Sequence, residues 1–379
     1  MEDTGDAARS SQFPWYSLAG AMTPLAAGRM DVDVVVDGGA DESNLLDVEW
    51  DALADAVSAP CWWRPTWVRA WMQSFGHGHL TVVTLRRNGE LAAIVPLVRV
   101  GSELRSTTNY HTPSFGLLAR DERSRTALAD EMLRLPVRRI SIGFLPASHS
   151  SLTALASAAV RAGRRHHARV LERCPYIVPK GDFTAYLSSR GGNLARELRR
   201  RERRLRTRGT FTFEVHEGGE DLARLLADGF AVEASGWKGT AGTAIASGQA
   251  TRSFYESIAQ WLSDRGALRL AFLRSADRAI AFDFAIEEAG VHSLLKTGYD
   301  PAFRADGPGV LLRAKMIERA FGLGLNRYNF LGHDDPWKRQ WSSVVEEQIL
   351  FQAFRGPNGV ADWIAQRYLR PVARRVMKR

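Results

Sequence analysis

Cysteine is almost absent from this sequence. Only Cys61 and Cys174 occur among 379 residues, and they lie far apart in the chain. Neither belongs to a CxxC motif or to a Cys/His cluster with the spacing of metal ligands. The sequence therefore predicts no disulfide framework and no zinc site, and we expect no metal cofactor.

Long apolar runs are also missing. No window approaches the roughly 18 consecutive apolar residues that a membrane-spanning helix needs. The first residues, MEDTGDAARSSQFPWYSLAGAM, are acidic where a signal peptide would be basic, and they lack a long apolar centre. We therefore expect a cytoplasmic protein.

Acidic residues are outnumbered by basic ones. The chain has 51 Lys and Arg against 42 Asp and Glu, which gives a formal net charge of +9. Such an excess favours an anionic partner, which is either the phosphates of a cofactor, a nucleic acid or an acidic membrane surface. Charge alone does not choose among these three.

Patterns of helices and strands fill the first half of the chain. Hydrophobic residues make up 45% and charged residues 25% of a length that suggests two domains. In WRPTWVRAWMQSF, a spacing of four predicts that Trp63, Trp67 and Trp71 share one helix face. Asn88-Gly89 separates two apolar runs, LTVVTLRR and LAAIVPLVRV, and predicts a β-hairpin. This half is therefore mixed α and β.

The second half repeats this order. An Arg-rich helix, a strand FTFEVHE and two helices precede a second hairpin pattern, ALRLAFLRS and AIAFDFAIEE, around the turn SADR. The recurrence suggests a duplicated fold of the α/β (α+β) class. We predict a disordered head at 1–29, an N-terminal lobe at 30–175, a C-terminal lobe at 176–356 and a basic amphipathic tail at 357–379.

The segment FRADGPG, residues 303–309, joins a predicted strand, GVHSLLKTGYD, to a predicted helix, VLLRAKMIERAF. Glycines at such a junction let N–H groups approach a ligand, and a helix N-terminus attracts anions. Pro308 suits the first helical position, so Gly307 is the expected N-cap, Gly309 leaves room for a ligand and Arg304 adds a guanidinium group. The alternative is a plain turn into a helix. The spacing R-x-x-G-x-G of RADGPG occurs a second time as RAFGLG, residues 319–324. This second match lies where the predicted helix should end.

These residues resemble a known family. LLKTGYDPAFRADGPGVLLRAKMIE and NRYNFLGHDDPWKRQW are similar to the acyl-CoA-binding half of GNAT acyltransferases, specifically the CelD-like branch with a duplicated, FemABX-like architecture. The Arg-rich helix LARELRRRERRLRTRG and the segment WDALADAVSAPCWWRPTWVRAWMQSFG resemble that branch too, so the likeness runs from about residue 45 to about residue 355. It implies two tandem GNAT-like lobes with mixed, mostly antiparallel sheets flanked by helices.

The resemblance implies an acyl-CoA-dependent N-acyltransferase. Acetyl-CoA or another acyl-CoA would be the co-substrate, and a small-molecule or glycan-precursor amine would attack the thioester directly. A backbone N–H in LLKTGYD would polarise the thioester carbonyl. The residues we assign to the acyl-CoA site are Lys296, Tyr299, Arg304, Gly307, Gly309 and Val310.

A side chain must also take a proton from the incoming ammonium group. Asp283 is the first candidate, because strand alternation places it beside small residues that leave space for a substrate; the alternative is a solvent-facing carboxylate. His333 follows a strand and is a candidate base or relay, or else simply solvated. Asn329 stands where the family usually has an acidic residue, and Trp337 replaces a usual Tyr. The residues we assign to substrate binding are Glu287, Asp334 and Lys338.

Two further residues have structural interpretations. Asp300 precedes Pro301, and its carboxylate is expected to cap local N–H groups of the turn. Trp341 is expected to pack in the core.

The helix at 193–208 carries eight arginines, with leucines on one stripe. It is either a solvated amphipathic helix or a contact for CoA phosphates or an RNA backbone. The FemABX likeness therefore implies a rival activity, because that group takes its acyl donor from aminoacyl-tRNA. A non-catalytic envelope or nucleic-acid-binding protein is the third alternative, and the tail is a candidate for contact with an anionic membrane.

Overall fold

A computed structural model describes residues 30–36, 40–236, 245 and 248–365. The predicted disordered head at 1–29 lies outside the described residues, as do residues 366–379 of the predicted tail. Among the described residues, no helix is both long and apolar enough to cross a bilayer.

The first half of the chain is a mixture of strands and helices. Its strands are β1 (Met30–Val36), β2 (His79–Arg87), β3 (Glu90–Val100), β4 (Glu103–Ser106), β5 (Leu118–Ala119), β6 (Arg139–Pro146) and β7 (Arg165–Ile177). Its helices are α1 (Ala40–Ala56), α2 (Pro65–Phe75), α3 (Glu122–Arg134) and α4 (Ser150–Arg161).

The second half has a similar mixture. Its strands are β8 (Phe211–His216), β9 (Leu268–Ser275), β10 (Arg278–Glu288), β11 (Val291–Tyr299), β12 (Arg327–Asn329) and β13 (Val345–Phe354). Its helices are α5 (Phe183–Ser189), α6 (Gly192–Arg206), α7 (Leu222–Ser235), α8 (Gln249–Asp264), α9 (Pro308–Gly322), α10 (Pro336–Arg339) and α11 (Gly356–Ile364).

All the described strands belong to one 13-stranded sheet, in the order β1-β2-β3-β4-β6-β13-β7-β12-β11-β10-β9-β8, with β5 beside β3. Most neighbours are antiparallel, and among the described pairs only β4 with β6 and β11 with β12 run parallel. The expected mixed α/β fold with a mostly antiparallel sheet and flanking helices is therefore confirmed.

The two halves exchange strands at the centre of the sheet. β13, from the end of the chain, inserts between β6 and β7 and pairs with both. β7 itself spans the predicted boundary between residues 175 and 176, and it pairs with β12 of the second half. The sheet is thus continuous where the sequence analysis divides the lobes.

The predicted hairpins both form. Asn88 and Gly89 have φ values of 56° and 85°, the left-handed conformation that a two-residue turn of this twist needs. β2 and β3 pair on either side of them, and β9 pairs with β10 around residues 276–277. The recurrence of this hairpin in both halves confirms the prediction from the sequence.

The tryptophan prediction is partly wrong. Trp67 and Trp71 lie on α2 and are buried against α8 and the sheet, but Trp63 belongs to a separate short turn before the helix. The cause is Pro65, the first residue of α2. A residue before proline is pushed out of the helical region, and Arg64 is extended with ψ 157°.

Candidate functional site

β11 and β12 pair over only three residues before they separate. Val291–Ser293 of β11 pair with Arg327–Asn329 of β12. After this, β11 continues to Tyr299, whereas β12 ends and the chain enters the loop 330–335. A cavity of about 850 Å³ lies at this opening and is lined by both segments. Beyond Ser293, the edge of β11 that faces away from β10 has no strand partner among the described residues, so its backbone polar groups face the cavity.

A bulge in β11 lies within this opening. Phe284 of β10 is opposite Lys296, but the next residue, Ala285, is opposite Leu294, so Leu295 is an extra residue. A bulge re-aims the backbone locally and is frequent beside active sites. The N–H groups around Leu295 are therefore candidates to polarise a carbonyl group bound in the cavity.

The start of α9 forms one end of the cavity. Gly307 is the N-cap in the left-handed conformation, with φ 64°, and Pro308 is the first helical residue, as the sequence predicts. A Cβ at Gly307 would lie 2.0 Å from Nη1 of Arg201, so glycine at this position admits the guanidinium group of α6. Arg304 lines the same end. Two arginines and a helix N-terminus together form a site for an anion such as a pyrophosphate.

The remaining arginines of the segment 193–208 have other surroundings. Leu198 and Leu205 of α6 are buried in the core beside α9. Arg204 and Arg208 each approach the buried carboxylate of Asp306 at 3.0 Å. Arg200 and Arg206 pair with glutamates of the same helix. Arg196, Arg199 and Arg203 are exposed and form no ion pair within the described part of the chain.

Glu172 and His333 form another part of the cavity wall. Glu172, on β7, is only 3% exposed, whereas the His333 side chain is 69% exposed. Nδ1 of His333 lies 2.5 Å from Oε2 of Glu172. Burial raises the pKa of Glu172, although the nearby charges of His333 and Lys338 oppose this effect. Sequence reasoning missed Glu172, because nothing in the β7 pattern separates it from any other strand carboxylate.

Lys338 holds the loop after β12. Its Nζ donates to the carbonyl oxygens of Leu331 and His333, at 2.5 and 2.7 Å, and lies 3.3 Å from a carboxylate oxygen of Asp335. Leu331 and Gly332 are both left-handed, with φ 52° and 56°. Because its three donors already have acceptors, Lys338 fixes the shape of the loop, and burial lowers its pKa.

Aromatic side chains form the wall beside His333. Tyr110 is 71% exposed, and its ring packs edge-on against Phe144. Phe144 has φ 56°, which is unusual for a bulky residue, and it lies where the register of β6 with β13 shifts. Trp337 of the second half also lines the cavity, where it packs edge-on against Phe330. This wall comes partly from the first half of the chain and partly from the second.

The structure brings together most of the residues that the sequence analysis assigns to the site. Those that line the cavity are Lys296, Tyr299, Arg304, Gly307, Gly309, Val310, His333 and Lys338. Asp283, Glu287, Asn329 and Asp334 do not line it.

The surroundings of Asp283 differ from those predicted. The structure places α9 over this face of β10, so the expected substrate space beside Asp283 is filled. Asp283 is 0% exposed, and its Oδ1 accepts a hydrogen bond of 2.7 Å from Arg313 of α9. Strand alternation identifies the face of a side chain but not the helix that covers it. A bulge between Ala279 and Ala281 also turns the Ile280 side chain towards α9.

Three other predicted residues have protein partners outside the cavity. Glu287 is buried between Arg269, His292 and Arg319. Burial alone would raise its pKa, but hydrogen bonds with His292 and Arg319 hold the pKa of Glu287 well below its usual value. Asn329 bonds to Arg327 and Ser293, and Asp334 pairs with Arg339.

The two structural interpretations are confirmed. Oδ1 of Asp300 accepts a hydrogen bond of 2.9 Å from the N–H of Ala302, and Trp341 is buried in the core. The described residues include no group of three His, Cys, Asp or Glu side chains arranged to bind a metal ion.

Part of the second half of the chain matches a known family model. Residues 192–339, which include the Arg-rich helix, the bulged strand, the start of α9 and the Lys338 loop, match the family model described as an acetyltransferase (GNAT) domain. No curated protein matches the chain significantly.

Solved structures with a similar fold cover most of the chain. FemX is 12% identical with a TM-score of 0.56, over 84% of this chain and 98% of its own. The C-terminal domain of a protein described as a lysylphosphatidylglycerol synthetase, from Agrobacterium fabrum, is 15% identical with a TM-score of 0.51, over 84% of this chain and 95% of its own. At these identities the likeness concerns the fold alone.

Proposed function

We propose that this protein is a cytoplasmic, acyl-CoA-dependent N-acyltransferase of the CelD-like type. Acetyl-CoA or another acyl-CoA is the donor, and a small-molecule or glycan-precursor amine is the acceptor. The amine nitrogen attacks the thioester carbonyl directly, and CoA leaves as the thiol.

The anion site at the start of α9 is the observation that carries this proposal. The pyrophosphate of the donor binds at Gly307–Gly309 between Arg201 and Arg304. The amide groups of the pantetheine arm pair with the open edge of β11, which brings the thioester to the bulge at Leu295. A backbone N–H at the bulge then stabilises the oxyanion that forms during the attack.

Calorimetric titration with acetyl-CoA tests this proposal. We expect micromolar binding that weakens about tenfold or more in Arg304→Ala, because a charge-assisted hydrogen bond contributes roughly 1.5–3 kcal/mol. Gly309→Val should also weaken binding, since a Cβ at Gly309 would already lie 3.4 Å from the ring of Tyr299. Arg200→Ala is the matched control, because Arg200 is exposed on the same helix as Arg201 and pairs with Glu197.

If the folded wild type does not bind acetyl-CoA, the proposed donor is wrong. Equal weakening by Arg200→Ala and Arg304→Ala would instead indicate a diffuse charge effect rather than a built site.

A second candidate is transfer from aminoacyl-tRNA. The exposed arginines Arg196, Arg199 and Arg203 support it, because their spacing of three and four places them on one face of α6. A tRNA held by these residues would bind with a steep salt dependence. Filter binding of tRNA between about 50 and 200 mM salt, with an Arg199→Ala, Arg203→Ala variant, tests this candidate.

A further inference from the structure

Glu172 has a buried carboxylate whose charge is poorly matched by the protein. Oε1 has no hydrogen-bond partner within the described part of the chain, and Oε2 has only the exposed His333 beside it, at 2.5 Å. Burial of such a group is costly unless a partner supplies hydrogen bonds or an opposite charge. The carboxylate lines the cavity, so a ligand in the cavity is a candidate for that partner.

Apart from His333, the groups around Glu172 do not compensate its charge. His333 and Asp335 approach from the loop after β12, and Lys338 approaches from α10. Lys338 already donates to two carbonyl oxygens of this loop, and Asp335 is itself an anion. Cys174 lies on the same strand with a thiol whose pKa burial raises to about 12, so it is neutral. Gln348, opposite Glu172 on β13, carries no charge.

We propose that Glu172 binds the ammonium group of the acceptor, a primary amine whose carbon skeleton contains a ring, and takes a proton from it. This inference rests on the proposed acyl-CoA-dependent activity and adds to it the acceptor class and the base. The ring of the acceptor stacks on the exposed face of Tyr110, whose ring packs edge-on against Phe144 in the cavity wall.

The proton balance of the step is simple. The ammonium group gives one proton to Glu172, and His333, which is in contact with both Glu172 and solvent, carries this proton out of the cavity. The free amine attacks the thioester carbonyl, and the C–S bond breaks. The second proton lost from nitrogen ends on the sulfur of CoA. The products are the amide, CoA thiol and one released proton.

The test measures CoA release with saturating acetyl-CoA and matched acceptors. The ring-bearing amines are 2-phenylethylamine and D-glucosamine, and their controls are 2-phenylethanol, D-glucose and methylamine. We expect turnover with at least one ring-bearing amine and none with the alcohols. Comparison of the two amines distinguishes an aromatic ring from a sugar ring.

Glu172→Gln should lower kcat/KM for the amine by about 10²–10⁴-fold, the usual contribution of a general base. In the wild type, kcat/KM should rise with pH through the raised pKa of Glu172, because only the ionised form accepts a proton, and this limb should be lost in the variant. Glu347→Gln is the matched control, because Glu347 is on the neighbouring strand, pairs with Arg173 and does not line the cavity. Tyr110→Ala should raise KM for ring-bearing amines while kcat changes little.

Acetyl-CoA titration of each variant separates the outcomes. If Glu172→Gln binds acetyl-CoA normally and keeps kcat/KM within twofold, the role of Glu172 is wrong while the proposed activity stands. If the wild type binds acetyl-CoA but acetylates none of the ring-bearing amines, the acceptor class is wrong. If the wild type does not bind acetyl-CoA, the proposed activity fails, and this inference fails with it.

Discussion

Asp283 and Arg313 form a buried ion pair between β10 and α9. Asp283 is fully buried and Arg313 is 2% exposed, and the guanidinium group also bonds to the hydroxyl groups of Tyr328 and Thr297. Arg313 lines the cavity, whereas Asp283 does not. Asp283 thus orients the guanidinium group of Arg313 without itself lining the cavity. This is a positioning role rather than contact with a substrate.

We expect Asp283→Asn to destabilise the fold by about 3 kcal/mol, because removal of one partner leaves a buried charge without compensation. Equilibrium unfolding in urea measures this change. The pH dependence of kcat/KM should keep its wild-type shape, since Asp283 does not take the proton. If Asp283→Asn instead loses the rise of kcat/KM with pH while its stability is unchanged, Asp283 is the base.

The arginines of the segment 193–208 show that residue type alone does not predict the partner of a side chain. Eight arginines at 193–208 look alike in the sequence, yet the fold gives them different partners. Arg201 reaches Gly307 at the cavity, and Arg204 and Arg208 compensate Asp306. The other five are exposed, and two of these pair with glutamates of α6.

At the scale of elements, left-handed glycines flank α9 on both sides. Gly307 has φ 64° and Gly324 has φ 62°. The N–H groups of Gly324 and Leu325 bond back to the last turn, which terminates the helix as the sequence predicts. The two ends therefore share a backbone conformation and differ in their surroundings.

We expect Gly307→Ala and Gly324→Ala to cost similar backbone strain, about 1–2 kcal/mol each. Only Gly307→Ala should weaken acetyl-CoA binding, because its Cβ would displace Arg201, whereas a Cβ at Gly324 meets no atom within 4 Å. Thermal unfolding and calorimetric titration of both variants check this. Equal loss of affinity in the two would show that helix stability, rather than the glycine site, controls binding.

At the scale of the whole molecule, the two halves share one sheet and a common core. Trp67 of α2, from the first half, packs edge-on against Phe254 of α8, from the second, with ring centroids 5.3 Å apart. β13 connects β6 to β7 on the other side. The cavity needs this arrangement, since Tyr110 and Glu172 come from the first half and the glycine site from the second.

We expect Trp67→Ala to destabilise the protein by about 3–5 kcal/mol through loss of a buried aromatic side chain. Because the shared core couples the halves, tryptophan fluorescence and far-ultraviolet circular dichroism should show one common urea transition in both wild type and variant. Val160→Ala is the control, since Val160 is exposed on α4. Two separated transitions in the wild type would contradict the coupling of the halves.

Much of the fold and part of the site followed from local sequence. Asn88-Gly89 determined a hairpin because only left-handed residues close such a turn, and Gly307-Pro308 determined where α9 begins. The site predictions at Arg304, Gly309 and Tyr299 depended on that same junction and lie at the cavity. These features could be predicted from the sequence because they depend on short-range steric constraints of the backbone.

Tertiary structure alone decided the rest. Only the packing of α9 on β10 shows that Asp283 is enclosed, and only the insertion of β13 and the pairing of β7 with β12 bring Glu172 to His333. The physical reason is that burial, charge compensation and shared cavities depend on contacts between residues far apart in sequence, which local periodicity does not encode.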